Sequence, residues 1–206
     1  HLSIRRQRQM CKETDNTPTI SYAGSITGTG TIRATKAGSS DVTCTISSGS
    51  CTLGTLTDGL WSIVVVDTDT SGNSATSAGL SITVDTVAPT ATFSAQTIAT
   101  TQSATLRSSE LGWAFLNRAN RSPISTSDIR GGQNDDWNQV QVTSVNTEVL
   151  LSAEGLYGFR PTDYLIYVSD IAGNLSSQNL NVKISVKDAY GPSINGVPLD
   201  SGTGQI

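Results

Sequence analysis

The sequence predicts an all-β protein built from two tandem β-sandwich modules. Short runs rich in β-branched and aromatic residues alternate apolar and polar side chains with a two-residue period. Gly, Asn, Asp, Ser or Pro bounds each run, and no window of ordinary helix length shows a sustained apolar stripe with caps. One group of turn residues also recurs about 100 residues later, which indicates two modules. The predicted strands include residues 31–35, 60–66, 80–84, 140–145 and 164–168.

The length of the chain fits two small modules, and its charge does not fit a nucleic-acid-binding protein. The chain has 206 residues, of which 36% are hydrophobic and 15% are charged, and each half is long enough to bury its own core. A net charge of -4 offers no cluster of Lys and Arg with which to displace counterions from nucleic acid. No run of eighteen or more apolar residues occurs, so the sequence predicts no membrane span.

The repeat has two landmarks. An Asp-x-x-Gly-Asn motif begins at Asp69 and again at Asp170, 101 residues later. An Asp-x-x-x-Pro motif begins at Asp85 and again at Asp188, 103 residues later. Because Pro removes a ladder donor and stiffens the backbone, we expect this second motif to be a short linker that ends one sandwich and starts the next. The predicted segments are an N-terminal arm at 1–17, a first module at 18–86, a second at 87–188, and a tail or further module at 189–206.

Two cysteines predict a disulfide. Cys44 and Cys51 flank a polar stretch that is typical of a hairpin turn, so a bridge across the hairpin is the natural pairing. The alternative is two buried free thiols. A disulfide would place the protein outside the cytoplasm, and Cys11 would then remain free or bonded to another chain.

The motifs resemble a known family. Asp-Gly-Leu-Trp-Ser-Ile at 58–63, the first Asp-x-x-Gly-Asn motif, and Val-Asp-x-x-Ala-Pro-Thr at 84–90 are similar to the repeated bacterial immunoglobulin-like (Big-type) domains of adhesins and cell-surface proteins, and residues 164–176 continue the same style. The resemblance implies immunoglobulin-like sandwiches of about seven strands, exported to the cell surface as spacers. It also implies calcium at module junctions, as in many relatives. Residues 187–191 depart from the first junction, and the cysteine pair has no counterpart in the second module.

The turn and junction motifs predict candidate calcium sites. We expect each Asp-x-x-Gly-Asn turn and the junction that follows it to converge at one end of a module, where loop oxygens suit calcium. The alternative is conformational, because Asp accepts turn amides and Gly supplies positive φ. The candidate ligands are Asp67, Asp69, Asn73 and Asp85 in the first module, and Asp170, Asn174 and Asp188 in the second.

The sequence predicts a non-enzymatic protein. Its single histidine is His1, and it has neither a Gly-x-Ser-x-Gly elbow nor a phosphate-cradling glycine loop. The acidic pair Asp135 and Asp136 is best explained as part of a solvated loop.

Three tryptophans receive separate interpretations. Trp61 and Trp113 alternate with apolar neighbours and are expected in the core. Trp137 lies at the end of a long polar stretch, residues 117–138, which is expected to be an inter-strand loop. The ring of Trp137 either anchors this loop or stacks on a ligand.

The leading functional hypothesis is a structural spacer or stalk of a bacterial extracellular adhesin or surface protein, which contacts neighbouring modules of the same or identical chains. One alternative is a subunit of an extracellular filament or surface layer, in which the N-terminal arm or residues 192–206 pair with an open sheet edge of the next chain. The other alternative is a carbohydrate-binding module that uses Trp137 to contact glycans or a host surface.

Overall fold

The fold is known from a computed structural model, which describes residues 12–156, 162–177, 183–187, 193–194 and 197–198. The described residues are almost entirely β-strand and loop, so the all-β prediction is confirmed. The chain divides into two compact units, residues 1–87 and 88–206. No helix among the described residues has the length and apolar character needed to cross a membrane.

Unit 1 consists of two sheets. The larger has the order β1-β8-β6-β3-β4, with β7 pairing a different part of β6, and the smaller joins β2 to β5. All pairs are antiparallel except β1 with β8, which is parallel. The strands are β1 (Lys12–Glu13), β2 (Thr19–Ser21), β3 (Thr29–Thr35), β4 (Val42–Thr45), β5 (Ser50–Thr52), β6 (Gly59–Thr68), β7 (Ser74–Thr76) and β8 (Leu80–Val84).

The core of unit 1 follows the alternation of its central strand. In β6 the buried residues Trp61, Ile63 and Val65 alternate with more exposed ones, as a half-buried strand requires. Trp61 is 1% exposed and its indole Nε1 donates to the carbonyl of Thr57, so it lies in the core. Ile32 of β3 and Leu53, which follows β5, pack in the same cluster, so the core lies between the two sheets.

Unit 2 also consists of two main sheets. The larger has the order β10-β16-β15-β12-β13 and the smaller the order β14-β11-β9, while β17 and β18 pair with each other. The elements are β9 (Ala91–Thr92), β10 (Gln96–Ala99), β11 (Ser103–Ser108), β12 (Gly112–Arg118), α1 (Thr126–Arg130), β13 (Trp137–Val142), β14 (Val149–Ser152), β15 (Thr162–Asp170), β16 (Ile184–Lys187), β17 (Ser193–Ile194) and β18 (Val197–Pro198).

The larger sheets of the two units share one strand order. In unit 2, as in unit 1, a strand near the start pairs in parallel with a strand near the end, here β10 with β16. The central antiparallel pairs also match, β3 with β6 and β12 with β15. The register also defines a rung in each larger sheet, meaning a row of three directly paired residues on neighbouring strands. The equivalent rungs are Cys44, Ile32 and Val65 in unit 1 and Asn138, Leu116 and Ile166 in unit 2.

The polar stretch at 117–138, predicted as a loop, contains the five-residue helix α1. Ser125 caps this helix by accepting a hydrogen bond from the amide of Asp128. Ile129 of the helix is fully buried with Phe115, Leu165 and Tyr167 in a cluster apart from the main core. This segment therefore packs on the outer face of the larger sheet. The loop prediction missed the helix because its single buried position produces no repeating apolar stripe.

Each unit has a clamp that joins its two sheets at equivalent positions. In unit 1, Cys44 of β4 and Cys51 of β5 form a disulfide with an S–S distance of 2.07 Å, as the sequence predicts. The turn between them is a tight hairpin at Ser48 and Gly49, both with positive φ, but its two arms belong to different sheets. The bridge therefore crosses the sandwich and does not merely close a hairpin.

In unit 2 the position of Cys44 is taken by Asn138 of β13. Its Nδ2 donates to the carbonyl oxygens of Ser152 and Glu154, both at 2.9 Å. These carbonyls belong to β14 and to the segment that follows it, in the opposite sheet. The amide side chain thus makes by hydrogen bonds the connection that the disulfide makes covalently in unit 1.

We predict that Asn138→Ala destabilises unit 2 by about 1–2 kcal/mol, because two backbone carbonyls lose their donor. The control is Asn134→Ala, which changes an exposed asparagine of the same insertion and should have little effect. Hydrogen exchange of the β15 amides under native conditions reports the stability of unit 2 separately from that of unit 1. Equal protection of β15 in the two variants would show that Asn138 is not a clamp.

Candidate functional site

The two Asp-x-x-Gly-Asn motifs form the same hydrogen-bonded turn. Asp69 accepts from the backbone amide of Asn73 at Oδ1 and from its side-chain Nδ2 at Oδ2, both at 2.9 Å. Asp170 accepts from the same two groups of Asn174, at 3.0 and 2.7 Å. The glycine between them has positive φ in both turns, 89° at Gly72 and 107° at Gly173.

These carboxylates stabilise the turns through their charge. The side-chain hydrogen bond from Asn73 is the main cause that lowers the pKa of Asp69 below its ordinary value, and backbone amides of the turn add to it. Oδ1 of Asp69 also accepts from the amide of Ser71. This arrangement supports the conformational alternative, because the oxygens that calcium would need already accept hydrogen bonds from the turn.

Asp67 lies in β6, two residues before Asp69, and makes a different set of contacts. It is 7% exposed, and its carboxylate accepts from the amide and hydroxyl of Thr27 at 2.8 and 2.9 Å and from the amide of Gly28 at 3.2 Å. The backbone hydrogen bond from Thr27 is the largest cause that lowers the pKa of Asp67, and burial opposes it. Asp67 therefore fixes the segment that enters β3.

The predicted convergence of Asp85 with the other three candidate ligands of unit 1 is wrong. Strand β6 pairs with β8 so that Gly59 lies opposite Val84, whereas Asp67 lies at the other end of β6, opposite Gly30. Eight residues of strand separate Gly59 from Asp67, or about 26 Å at 3.3 Å per residue. The sequence pattern misplaced Asp85 because the chain reverses between β6 and β8. Asp188, the last predicted ligand, lies outside the described residues.

A glycine at the start of each central strand permits close approach to the Asp turn. A side chain at Gly28 would collide with the carbonyl oxygen of Thr68, and one at Gly112 would collide with that of Ser169. The φ of Gly112 is also 150°, a conformation that other residues avoid. These equivalent glycines lie 84 residues apart, whereas the Asp turns lie 101 apart, so the difference, 17 residues, is inserted between the two central strands of unit 2.

The other two tryptophans, Trp113 and Trp137, pack against the cluster that the insertion covers. Trp113 was expected in the main core, but it packs at the edge of the outer cluster, because β12 is covered on both faces and its alternation does not distinguish them. Trp137 lies in β13, opposite Asn117 of β12, and packs against the same cluster. Its Nε1 is buried. The partly buried ring is therefore in the position expected for an anchor.

One ion pair joins the insertion to the sheet, and a second lies within the insertion. Asp136 lies 3.1 Å from Nη1 of Arg118 and 3.7 Å from Nη1 of Arg121, and its side chain is 14% exposed. The interpretation of Asp135 and Asp136 as a solvated loop is therefore wrong for Asp136. The carbonyl of Asp135 accepts from the hydroxyl of the buried Tyr164, so both residues anchor the segment before β13.

A third arginine is held without an acidic partner among the described residues. Nε of Arg130 donates to Oε1 of Gln139 at 3.0 Å, and its guanidinium carbon lies 5.5 Å from the Trp113 ring centroid and 5.3 Å from that of Phe115. Both distances are within the range of cation–π attraction. Arg130 was not among the predicted site residues. The alternation of Trp113 and Phe115 in the sequence indicates an aromatic strand face, but not that Arg130 would pack on it.

Comparison with known proteins does not assign this chain to a family. No family model and no curated protein sequence matches it. Among solved structures, it is similar to the chicken CNTN1 FN1-FN3 domains at 14% identity, over 85% of this chain and 64% of that one, with a TM-score of 0.45. It is similar to the fibronectin(III)-like modules of CbhA from Clostridium thermocellum at 9% identity, over 86% of each chain, with a TM-score of 0.39.

A third similar structure is a Ca²⁺-stabilised adhesin that helps an Antarctic bacterium bind ice, at 17% identity, with a TM-score of 0.30. The match covers 84% of this chain and 45% of the adhesin. This chain thus spans less than two thirds of the chicken and Antarctic structures. With TM-scores below 0.5, these likenesses do not indicate what the chain binds.

We predict that Asp67→Asn lowers the melting midpoint of unit 1 and removes part of its pH dependence. Since the folded pKa of Asp67 lies below its ordinary value of 3.8, the unfolded chain binds more protons near that pH. The stabilisation is therefore complete above the unfolded pKa and is lost as pH falls through the lowered folded pKa. Melting curves between neutral pH and pH 3 measure it.

The control for this experiment is Asp41→Asn, which removes an exposed carboxylate of the same unit. We expect it to leave both the midpoint and the acid dependence close to those of the unaltered protein. If Asp67→Asn and Asp41→Asn behaved alike across the whole pH range, Asp67 would have no special role in holding β3.

Proposed function

We propose that this chain is a spacer segment of a bacterial extracellular surface protein, formed by two tandem immunoglobulin-like sandwiches. The observation that carries the proposal is the same strand order in the larger sheets of both units, with a strand near the start paired in parallel with a strand near the end. Duplication of one unit lengthens a chain without adding new chemistry, as a spacer requires.

The parallel pairing suits a segment that bears tension. In unit 2, β10 and β16 pair over four residues, from Gln96 with Ile184 to Ala99 with Lys187. Because the strands run in the same direction, pulling the two ends of the chain apart slides one along the other. All hydrogen bonds of the pair are then loaded together, whereas pulling on an antiparallel hairpin from its open end breaks them one at a time.

The polar groups of the described residues are largely used for holding the fold. Asp67, Asp69 and Asp170 accept backbone amides, and Asn138 and the disulfide join sheets. This distribution supports a structural role over catalysis, for which a nucleophile and a base would need to converge in a cleft. The disulfide supports an extracellular location, since such bonds persist in oxidising compartments.

The proposal predicts mechanical resistance that depends on the β10–β16 pair. We expect Thr100→Pro to reduce the force at which unit 2 unfolds, because the amide of Thr100 donates to the carbonyl of Lys187 at 2.9 Å and proline has no donor. The residue before it, Ala99, is extended, as a residue before proline prefers. Single-molecule stretching measures the force, and Thr100→Ala, which keeps the amide donor, is the matched control.

Two results would contradict the spacer. One is an unfolding force for Thr100→Pro equal to that of Thr100→Ala and of the unaltered protein, which would mean that the parallel pair carries no load. The other is assembly of the purified chain into long polymers in electron micrographs, which would favour the filament alternative instead. A spacer is expected to stay monomeric at micromolar concentration.

Calcium binding at the Asp-x-x-Gly-Asn turns can be tested directly by thermal melting. If the Asp-x-x-Gly-Asn turns are purely conformational, the melting midpoint should be the same in calcium and in excess chelator. If a cation binds there, calcium should raise the midpoint by mass action, and Asp69→Asn should abolish the rise. Because Asp69 already accepts three hydrogen bonds, we expect the unchanged midpoint.

A further inference from the structure

A hollow of about 570 Å³ lies on the outer face of the larger sheet of unit 2. It extends from the end of α1 to the Asp170 turn, and its volume falls in the range of small-ligand sites. The residues that supply its hydrogen-bonding and aromatic groups are Trp113, Thr126, Arg130, Gln141, Thr143 and Ser169. None of these residues contributes to the main core of the unit, so the spacer role does not account for them.

Arg130 is the preorganised group of this hollow. Its Nε is held by Gln139 and its guanidinium lies against two aromatic rings, while the residue as a whole is exposed. Among the described residues no carboxylate forms an ion pair with it. An arginine fixed in this way offers its terminal N–H groups to a ligand with little loss of side-chain entropy, and their planar fork matches a carboxylate.

The rest of the lining indicates the kind of molecule that carries the carboxylate. Gly112 of β12 is paired with Val142 on one side and Asp170 on the other, so the central backbone here is engaged in the sheet. The available side chains, such as Gln141 and Thr143, are neutral hydrogen-bonding groups, which suit a ligand with many hydroxyls. An extended peptide would instead pair with the free edge of β13, which lies beside this face and not over it.

Apolar contacts and a second charge complete the lining. Leu111 and Ile171 also line the hollow and are 41% and 62% exposed, which provides surface for the C–H faces of a sugar ring. The carboxylate of Asp170 lies in the lining too, but its oxygens accept from Gly173 and Asn174. Its negative charge disfavours an anionic group beside it, so the carboxylate of the ligand is expected at the Arg130 end of the hollow and not at the Asp170 end.

From these observations we infer that the hollow binds a saccharide that carries a carboxylate, with the carboxylate held by the guanidinium fork of Arg130. Gln139 acts as a positioning residue, because it holds Arg130 without lining the hollow. The ring hydroxyls bind to Gln141 and Thr143, which are both exposed. This activity goes beyond the spacer role and places glycan contact at Arg130 and not at Trp137.

The test is calorimetric titration of the full chain with tri-galacturonate. The neutral galactose trisaccharide, acetate and inorganic phosphate are titrated in parallel. We expect tri-galacturonate to bind most tightly, and Arg130→Gln to weaken it by about tenfold or more through loss of the charge-assisted hydrogen bonds. The matched control is Arg107→Gln, which removes an exposed arginine of the same unit outside the hollow, and it should change affinity less than about twofold at fixed salt.

A second variant protects the test against misfolding. Since Arg130 packs on two rings, Arg130→Gln could loosen the helix, so Gln141→Ala, which leaves those contacts intact, should also weaken binding while the melting curve stays unchanged. The inference is overturned if tri-galacturonate does not bind, if the neutral trisaccharide binds equally well, or if acetate or phosphate does. It is also overturned if Arg107→Gln weakens binding as much as Arg130→Gln does. None of these results bears on the unfolding force, so the spacer proposal stands or falls separately.

Discussion

The pairing of two long central strands is the interaction on which each unit depends. In unit 1 these strands are β3 and β6, and in unit 2 they are β12 and β15. A carboxylate turn ends the second strand of each pair, and a glycine that can bear no side chain begins the first. The close approach of the glycine to the turn restricts the register of this pair, and the register of the strands beside it depends on that of the pair.

Once the central register is set, the same position can be filled by different chemistry. The rung that contains Ile32 ends at Cys44, and the equivalent rung that contains Leu116 ends at Asn138. One side chain crosses to the opposite sheet through a disulfide and the other through two hydrogen bonds. The requirement is a cross-sheet connection near the sheet edge, because an edge strand has a partner on one side alone.

The insertion of unit 2 shows how a sandwich gains surface without changing its core. Ten of its 17 additional residues lie between Leu116 and Asn138, where they place a short helix on the outer face of the larger sheet and leave the strand order of that sheet unaltered. Ion pairs to Asp136 and the packing of Trp137 hold the segment in place. The helix brings Arg130 over Trp113 and Phe115, and this juxtaposition has no equivalent in the repeat motifs.

The sequence by itself determined the local features of this protein. A two-residue alternation predicts strands, Asp-x-x-Gly-Asn predicts its turn, and the polar stretch between Cys44 and Cys51 predicts their pairing, because each depends on neighbours close in the chain. Only the tertiary structure decided that Asp85 lies far from Asp67, that Trp113 faces the outer cluster, and that Arg130 lines a hollow. These facts follow from which strand lies beside which and from which face of a doubly covered strand a residue occupies. Neither the neighbouring strand nor the occupied face can be read from the two-residue alternation, because on a strand covered on both sides the two faces are similarly apolar.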